Sequence, residues 1–303
     1  DRVLRYVNLS VPFTGYVHEP VAIYKGAIYN LPFNMNTFAR MWGVTTPEEA
    51  RARIASQRAE IVGEPQNLEE QAISLVGRDI YEALVKGYSE KQWGRDCRDL
   101  PASIIRRLPV RYTYDNRYFF DRYQGVPEGG YNPLIDALLS GSEARVNTDF
   151  VSDRKTFEGI ADTILFTGRI DEFYEGRLGP LCYRSLRFEH ETPETDNFQG
   201  AAVVNYTERD VPYTRIIEHK HFAFGNQPGT VITREYPLEW KPGLEPYYPI
   251  GDEVNRTRYS GYEALARREE RVLFGGRLGL YCYMDMDTTI LAALELADRV
   301  LPS

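Results

Sequence analysis

The stretch VAIYKGAIYN (residues 21–30) is the one on which the reading of the fold turns. Two short apolar and aromatic runs, Val21–Tyr24 and Ala27–Asn30, flank Lys25-Gly26. Glycine there supplies the positive φ that a two-residue hairpin demands. An antiparallel pair is therefore predicted close to the start of the chain. Downstream of it the period changes. From residue 34 to about 108 the apolar spacing turns helical, and the helix punctuation is explicit. Thr46-Pro47-Glu48-Glu49 is a capping box with proline at the first helical position, opening a helix that ends by Gly63. Asn67-Leu68-Glu69-Glu70 repeats the device and Gly77 closes it. A third helix is predicted from about Asp79 to Lys86, stopping at Gly87.

After Pro109 the strand pattern returns. Residues 145–151, 183–189, 201–206, 213–219, 230–236 and 271–274 read as strands, several alternating polar with apolar as half-buried antiparallel strands do. DTILFTG (162–168) differs, being a nearly continuous apolar run ending in glycine. That is the pattern of a parallel strand buried on both faces. Residues 271–303 read as a strand, a Gly-Gly turn, a loop, and a helix over about 288–300.

Composition narrows the functions. A chain of 303 residues with 43% hydrophobic and 26% charged content is long enough for two domains or more. No apolar run approaches the ~20 residues that span a bilayer, and residues 1–10 lack the pattern of a secretory signal. A net charge of −8 argues against nucleic acid as a general partner. Three cysteines (Cys97, Cys182 and Cys282) without CxxC spacing fit a reducing cytoplasm and leave no cysteine-based metal site. His219 and His221 would share one face of a strand, but no third ligand lies near them in sequence, so no metal is expected. Twenty-two tyrosines suit either a sheet surface or an aromatic pocket.

Four clusters carry candidate chemistry. The first joins Tyr88 and Trp93 to Arg106, Arg107, Arg111, Asn116 and Tyr118. It reads either as aromatic cover beside a solvated face, or as rings that stack a base and sugar with arginines that bind phosphate. In the second, Arg184 and Arg215 each fall inside a strand-like run. They are either a diphosphate clamp or structural partners of Glu189 and Glu218. The third, Glu245-Pro-Tyr-Tyr-Pro249, fixes Tyr247 and Tyr248 between two prolines. The fourth runs through Gly275, Gly276, Arg277, Tyr283, Asp285 and Met286 into a helix, where glycines and a helix N-terminus suit a phosphate or a polar ring edge. No GxGxxG follows a strand, and GxxxxGK[ST], HExxH and GxSxG are also missing from the sequence.

The runs LPFNMNTF (31–38), NLEEQAISLVG (67–77), KGYSEKQWG (86–94), LPVRYTYDNRYF (108–119), VPYTRIIEHKHF (211–222), EPYYP (245–249) and FGGRLGLYCYMDM (274–286) resemble the bacterial UDP-galactopyranose mutase family across almost the whole chain. That resemblance implies interconversion of UDP-galactopyranose and UDP-galactofuranose by reduced FAD, through attack of flavin N5 on the anomeric carbon and a flavin–galactose adduct. The protein then positions the sugar, holds the diphosphate and excludes water. It also implies site roles. Arg107, on a mobile loop, and Arg215 would be the catalytic diphosphate clamp with Arg184 beside it. Tyr118 and Tyr248 would contact phosphate, Tyr88 the uridine and Trp93 the sugar, while His18 would border the uridine pocket. Gly276, Arg277, Tyr283, Asp285 and Met286 would lie at the flavin and the adjoining sugar pocket, with Tyr283 and Asp285 counted among the catalytic residues. A homodimer and a cytoplasmic location are implied as well.

The implied architecture is a mixed α/β fold. Residues 1–33 would supply strands of a substrate sheet, 34–108 a helical subdomain with the mobile loop, and 109–134 with 180–250 an antiparallel substrate sheet. Residues 135–179 and 251–303 would be parts of a Rossmann-like FAD domain. The family's N-terminal βαβ unit with its flavin-binding glycines has no counterpart in the sequence. By that comparison roughly 70–80 residues would be lacking, and FAD binding would be impaired. The alternative kept beside this one is a UDP-sugar-binding module without catalysis.

Overall fold

At the Lys25-Gly26 turn both residues take positive φ, 49° and 74°. Around it β1 (Val21–Tyr24) and β2 (Ala27–Asn30) pair antiparallel, with Val21 opposite Asn30. The computed structural model describes residues 2–106 and 108–301. The other strands are β3 (Ile164–Phe166), β4 (Tyr183–Glu191), β5 (Val203–Tyr206), β6 (Arg215–Glu218), β7 (Ile232–Glu239), β8 (Tyr248–Pro249) and β9 (Val272–Phe274). The chain forms two compact units. One comprises Asp1–Pro12, Tyr131–Ser185 and Glu239–Ser303, and the other Phe13–Gly130 and Leu186–Leu238. Strand β4 leads from the first into the second.

In the second unit the strands run β2-β1-β5-β6-β7-β4. β1 and β5 are parallel, whereas β5–β6 and β6–β7 are antiparallel. The register sets Asn205 opposite Arg215 and Arg215 opposite Glu235, so these three polar side chains lie in a row on one face. The helical part builds the unit's largest core, in which Met35, Phe38, Leu68, Ile73, Ile80 and Tyr81 are fully buried. Each such apolar side chain contributes about 1.5–3 kcal/mol by leaving water. The caps are formed as well. The Thr46–Glu49 box opens Pro47–Arg58, and the Asn34–Thr37 box opens Met35–Trp42. Asn67 accepts from the Glu70 amide at 3.0 Å, but Glu70 reaches the Gln66 amide instead of closing the box.

Several expectations are corrected. The third helix does not stop at Gly87. A π-helical stretch, Tyr81–Lys86, passes through Gly87 in right-handed geometry into Gly87–Trp93, and the left-handed glycine that ends it is Gly94. Gly87 is there for closeness, since a Cβ on it would stand 2.4 Å from the Thr207 carbonyl oxygen. His219 and His221 lie in a 3-10 turn (His219–Ala223) rather than on a strand face.

In the first unit β3 and β9 pair in parallel, Ile164 opposite Val272, as the apolar run predicts. Its burial on both faces is not found, because Leu165 is 51% exposed while Phe166 is buried. Phe166, Phe173 and Phe274 interlock behind it with centroids 4.9–6.0 Å apart. A second cluster gathers Ile170, Leu181, Tyr183, Tyr262 and Tyr281. Buried Asp171 accepts from the Tyr183 hydroxyl (3.1 Å) and the Leu181 amide (3.2 Å). Residues 145–151 form turns rather than a strand. Two charged side chains there, Arg145 and Asp149, and an 83% exposed Val146 break the alternation, and only Phe150 and Val151 pack inward, against the Phe166 cluster. The chain starts with a helix, Arg2–Asn8, rather than with strands of the sheet. Arg2 fixes it to Asp298 of the C-terminal helix Met286–Val300 at 2.6 and 2.9 Å. Among the described residues no helix is long and apolar enough to cross a membrane.

Candidate active site

In the second unit the polar row centres on Arg215. Its Nε is 3.1 Å from Oε1 of Glu235, a carboxylate that is 5% exposed and is faced on the same oxygen by the Thr214 hydroxyl at 3.4 Å. Glu189 and Glu218 serve other groups. Glu189 pairs with Arg187, while Glu218 accepts the Phe198 and Gln199 amides at 2.9 Å and lies 3.1 Å from His221.

The charge of Arg215 is felt by three rings. Burial raises the phenol pKa of Tyr88, with the positive charge of Arg215 opposing the rise and Glu235 adding to it. Burial, and then Tyr88, raises that of Tyr118. Both hydroxyls therefore stay protonated at neutral pH and are available as donors. Burial first, and Arg215 second, push the His18 imidazole down to about 4, which leaves it neutral. Its Nδ1 lies 3.1 Å from the Tyr16 hydroxyl, and its ring packs at 5.7 Å against both Phe119 and Tyr118. The Tyr118 loop is pinned from within. Its amide donates to the His18 carbonyl at 2.7 Å, and buried Arg111 donates to the carbonyls of Arg117 and Tyr118. Asn116 accepts from the amide groups of Asn34 and Asn36 at 2.8 and 2.9 Å. Trp93, at the far end of the Tyr88 helix, packs partly buried against the helical core. Arg107 lies outside the described residues.

In the first unit the site residues are brought together by loops. Arg184, 6% exposed, stands opposite Tyr248 across the β4–β8 pair, and its carbonyl accepts the Tyr247 amide at 2.9 Å. The Ser185 hydroxyl donates to the Glu245 carbonyl at 2.7 Å, so the proline-framed segment lies flat on β4. Arg277 then ties two loops, donating to the Tyr247 carbonyl at 2.9 Å and to the Met284 carbonyl. Its guanidinium lies 4.7 Å from the centre of the Tyr283 ring and 5.7 Å from that of Tyr248, and the two rings are 6.0 Å apart. The Tyr283 hydroxyl donates to Asp285 at 3.0 Å. Tyr281 adopts φ 44°, uncommon outside glycine, and is anchored through its hydroxyl to the carbonyls of Cys182 (2.6 Å) and Ile250 (2.9 Å).

Asp285 is also the N-cap residue of Met286–Val300, yet its side chain makes no capping hydrogen bond. The first amides of that helix therefore face outward unspent by the cap. Gly276, with φ 69°, starts the short helix Gly276–Gly279 after β9, and Met286 is 58% exposed beside them.

The sequence reading passed over Glu235 and Tyr16, and Arg111, singled out there as a phosphate-binding candidate, is spent on the backbone of the Tyr118 loop. Only the strand register reveals Glu235, since twenty residues separate it from Arg215. No group of three or more His, Cys, Asp or Glu side chains gathers as a metal site among the described residues. His219 faces the Thr233 hydroxyl at 2.6 Å.

The fold is that of a known class of nucleotide-sugar enzyme. A crystal structure of a reduced UDP-galactopyranose mutase superposes over 97% of this chain and 79% of its own, with a TM-score of 0.71 at 15% identity. The sequence carries the assignment further. The UDP-galactopyranose mutase family profile matches residues 83–283. A probable UDP-galactopyranose mutase of Klebsiella pneumoniae is 40% identical over 100% of this chain and 79% of its own length. A dTDP-fucopyranose mutase of Escherichia coli is 38% identical over 98% of this chain and 81% of its own. The chain belongs to the UDP-galactopyranose mutase family.

Proposed function

We propose that the chain interconverts UDP-galactopyranose and UDP-galactofuranose, working with FAD in its reduced form. The observation that carries this reading is the environment of Arg215. It is a guanidinium held by one buried carboxylate and flanked by two protonated tyrosines and a neutral histidine. Such a group offers donors to a diphosphate. Arg215 and Arg107 bind the diphosphate, Arg184 adds positive charge, and Tyr118 and Tyr248 donate hydroxyls to phosphate oxygens. Tyr88 and His18 border the base, and Trp93 faces the sugar.

The cofactor reading is supported by the loop after β9. The positive-φ Gly276 and the uncapped start of Met286–Val300 fit the polar edge of a flavin, because both present backbone N–H groups without a side chain in the way. Gly276, Arg277, Tyr283, Asp285 and Met286 would hold it. Reduced flavin supplies the nucleophile that no side chain here provides. A homodimer and a cytoplasmic setting complete the proposal.

The test is conversion of UDP-galactofuranose by the purified chain with added FAD and dithionite, resolved by anion-exchange chromatography, with a dTDP-linked 6-deoxyhexofuranose run in parallel. Formation of UDP-galactopyranose only under reducing conditions supports the reading. Turnover of the dTDP sugar alone would move the substrate to that of the Escherichia coli relative. UDP binding without turnover of either would favour a binding module.

A further inference from the structure

The helix that carries Tyr88 also carries Lys91, three residues on and therefore on a neighbouring part of the helix surface. Lys91 Nζ donates to three backbone carbonyls, those of Tyr206 (2.7 Å), Val211 (3.0 Å) and Tyr213 (2.8 Å). They bracket the turn between β5 and β6, since Tyr206 ends β5 and Tyr213 precedes Arg215 by two residues. Three carbonyl dipoles aimed at one point repel one another unless a cation sits there, and an ammonium has three N–H donors to give.

The same turn is held at three further points of the same helical run, Gly87, Glu90 and Ala83. Gly87 lies so close to it that a Cβ would stand 2.4 Å from the Thr207 oxygen and 3.0 Å from the Arg209 nitrogen. Buried Glu90 pairs with Arg209 at 3.1 Å. The Thr207 hydroxyl donates to the Ala83 carbonyl at 2.8 Å, within the π-helical stretch that leads into Gly87. At its far end the turn is continuous with Arg215 through Thr214, whose amide and carbonyl are bound by Glu235 O and Tyr206 N at 2.9 Å.

We infer that Lys91 is a positioning residue for the nucleotide site: it ties the β5–β6 turn to the Tyr88 helix and so sets where Arg215 stands relative to Tyr88. The inference rests on the assignment of Arg215 and Tyr88 to that site, and it adds a residue that touches no substrate. Burial pushes the ammonium pKa down to about 8, a desolvation cost that its carbonyl partners offset.

The test combines amide hydrogen exchange with a mutant cycle read by titration with UDP. Lys91→Met keeps the apolar stem and removes the ammonium. Exchange across residues 207–214 should quicken, and UDP affinity should fall about tenfold in the unaltered background but less than about twofold in Arg215→Ala, because the effect passes through Arg215. A merely structural lysine would cost the same factor in both backgrounds, and that result overturns the inference. So does unchanged exchange over 207–214, whatever UDP does. If Lys91→Met fails to melt cooperatively, Lys91→Arg is measured instead. Its planar fork keeps the charge but misplaces the donors, so the same coupled loss is expected and full retention of affinity would count against the tie. Should Arg215→Ala itself leave UDP binding intact, the nucleotide-site assignment falls and takes the positioning role with it, while the exchange rates still report whether the tie exists.

Discussion

The two units place their functional side chains by different means. In the second, Arg215 is positioned by strand register, opposite Glu235 on one neighbour and Asn205 on the other, inside a ladder of regular strands. In the first, Arg277 sits where strands are two or three residues long, and what fixes it is its own pair of bonds to the carbonyls of Tyr247 and Met284. A register places a side chain through many backbone bonds, so a change at one position leaves its neighbours where they were. A loop arginine that binds carbonyls is itself part of the scaffold, and replacing it loosens what it holds. Functional loss should therefore be separable from stability loss at Arg215, by removing its buried partner as well, and should travel with it at Arg277.

The largest effect that breaks or upholds this contrast is expected from Arg215→Ala. Loss of its contact to a developing or bound charge should lower kcat/KM by about 10²–10³-fold. The fold should weaken by about 3 kcal/mol, because Glu235 is left buried without its partner. Adding Glu235→Gln should restore most of the thermal stability and none of the activity. Recovery of both would show that Arg215 is only a structural partner. Gly87→Ala should come next, costing about 1–3 kcal/mol by overpacking against Thr207, seen as a lower Tm with UDP affinity falling alongside. A neutral Tm would mean that the Tyr88 helix is not pressed on the turn.

His18 sharpens the electrostatic side. Its folded pKa of about 4 lies below the ordinary 6.5, so between those values the unfolded chain binds more protons than the folded one. Stability must then fall as pH drops from 6.5 towards 4. His18 is partly exposed, which discounts the effect to roughly 2 kcal/mol. Urea unfolding of His18→Asn should show a correspondingly shallower pH dependence over that window, and an unchanged slope would remove His18 from the account. The smallest effect is expected from Tyr283→Phe, which loses one hydrogen bond to Asp285 and about 1 kcal/mol. Flavin affinity should fall modestly with it if the loop holds the cofactor.

What could be read from sequence alone follows the same division. The hairpin at Lys25-Gly26, the capped helices from Thr46 and Asn67, and the parallel run at 162–168 announced themselves because turn chemistry and periodicity are local. Gly87 was legible as a glycine but not as a contact. Its reason is the Thr207 carbonyl, 120 residues away in sequence, so it read as a stop signal where it is a point of close approach. Leu165 betrayed the limit of the apolar-run rule, since a three-residue strand with one paired neighbour, β9, leaves that side chain half exposed. Arg184 and Arg215 stood out as charges inside strands, yet the true partner of Arg215 depends on register and was out of reach. Lys91 gave no signal at all, because a lysine bound to backbone carbonyls has no partner whose identity a sequence could show.

The measurement that tests the account most directly is the rate of UDP-galactofuranose conversion with reduced FAD, compared for the unaltered chain, Arg215→Ala and Arg277→Ala. The account predicts turnover by the unaltered chain and a loss of at least about tenfold in kcat/KM for each variant, with Tm clearly lowered in Arg277→Ala and recoverable through Glu235→Gln only in the Arg215 background. Undiminished turnover in Arg215→Ala would contradict it.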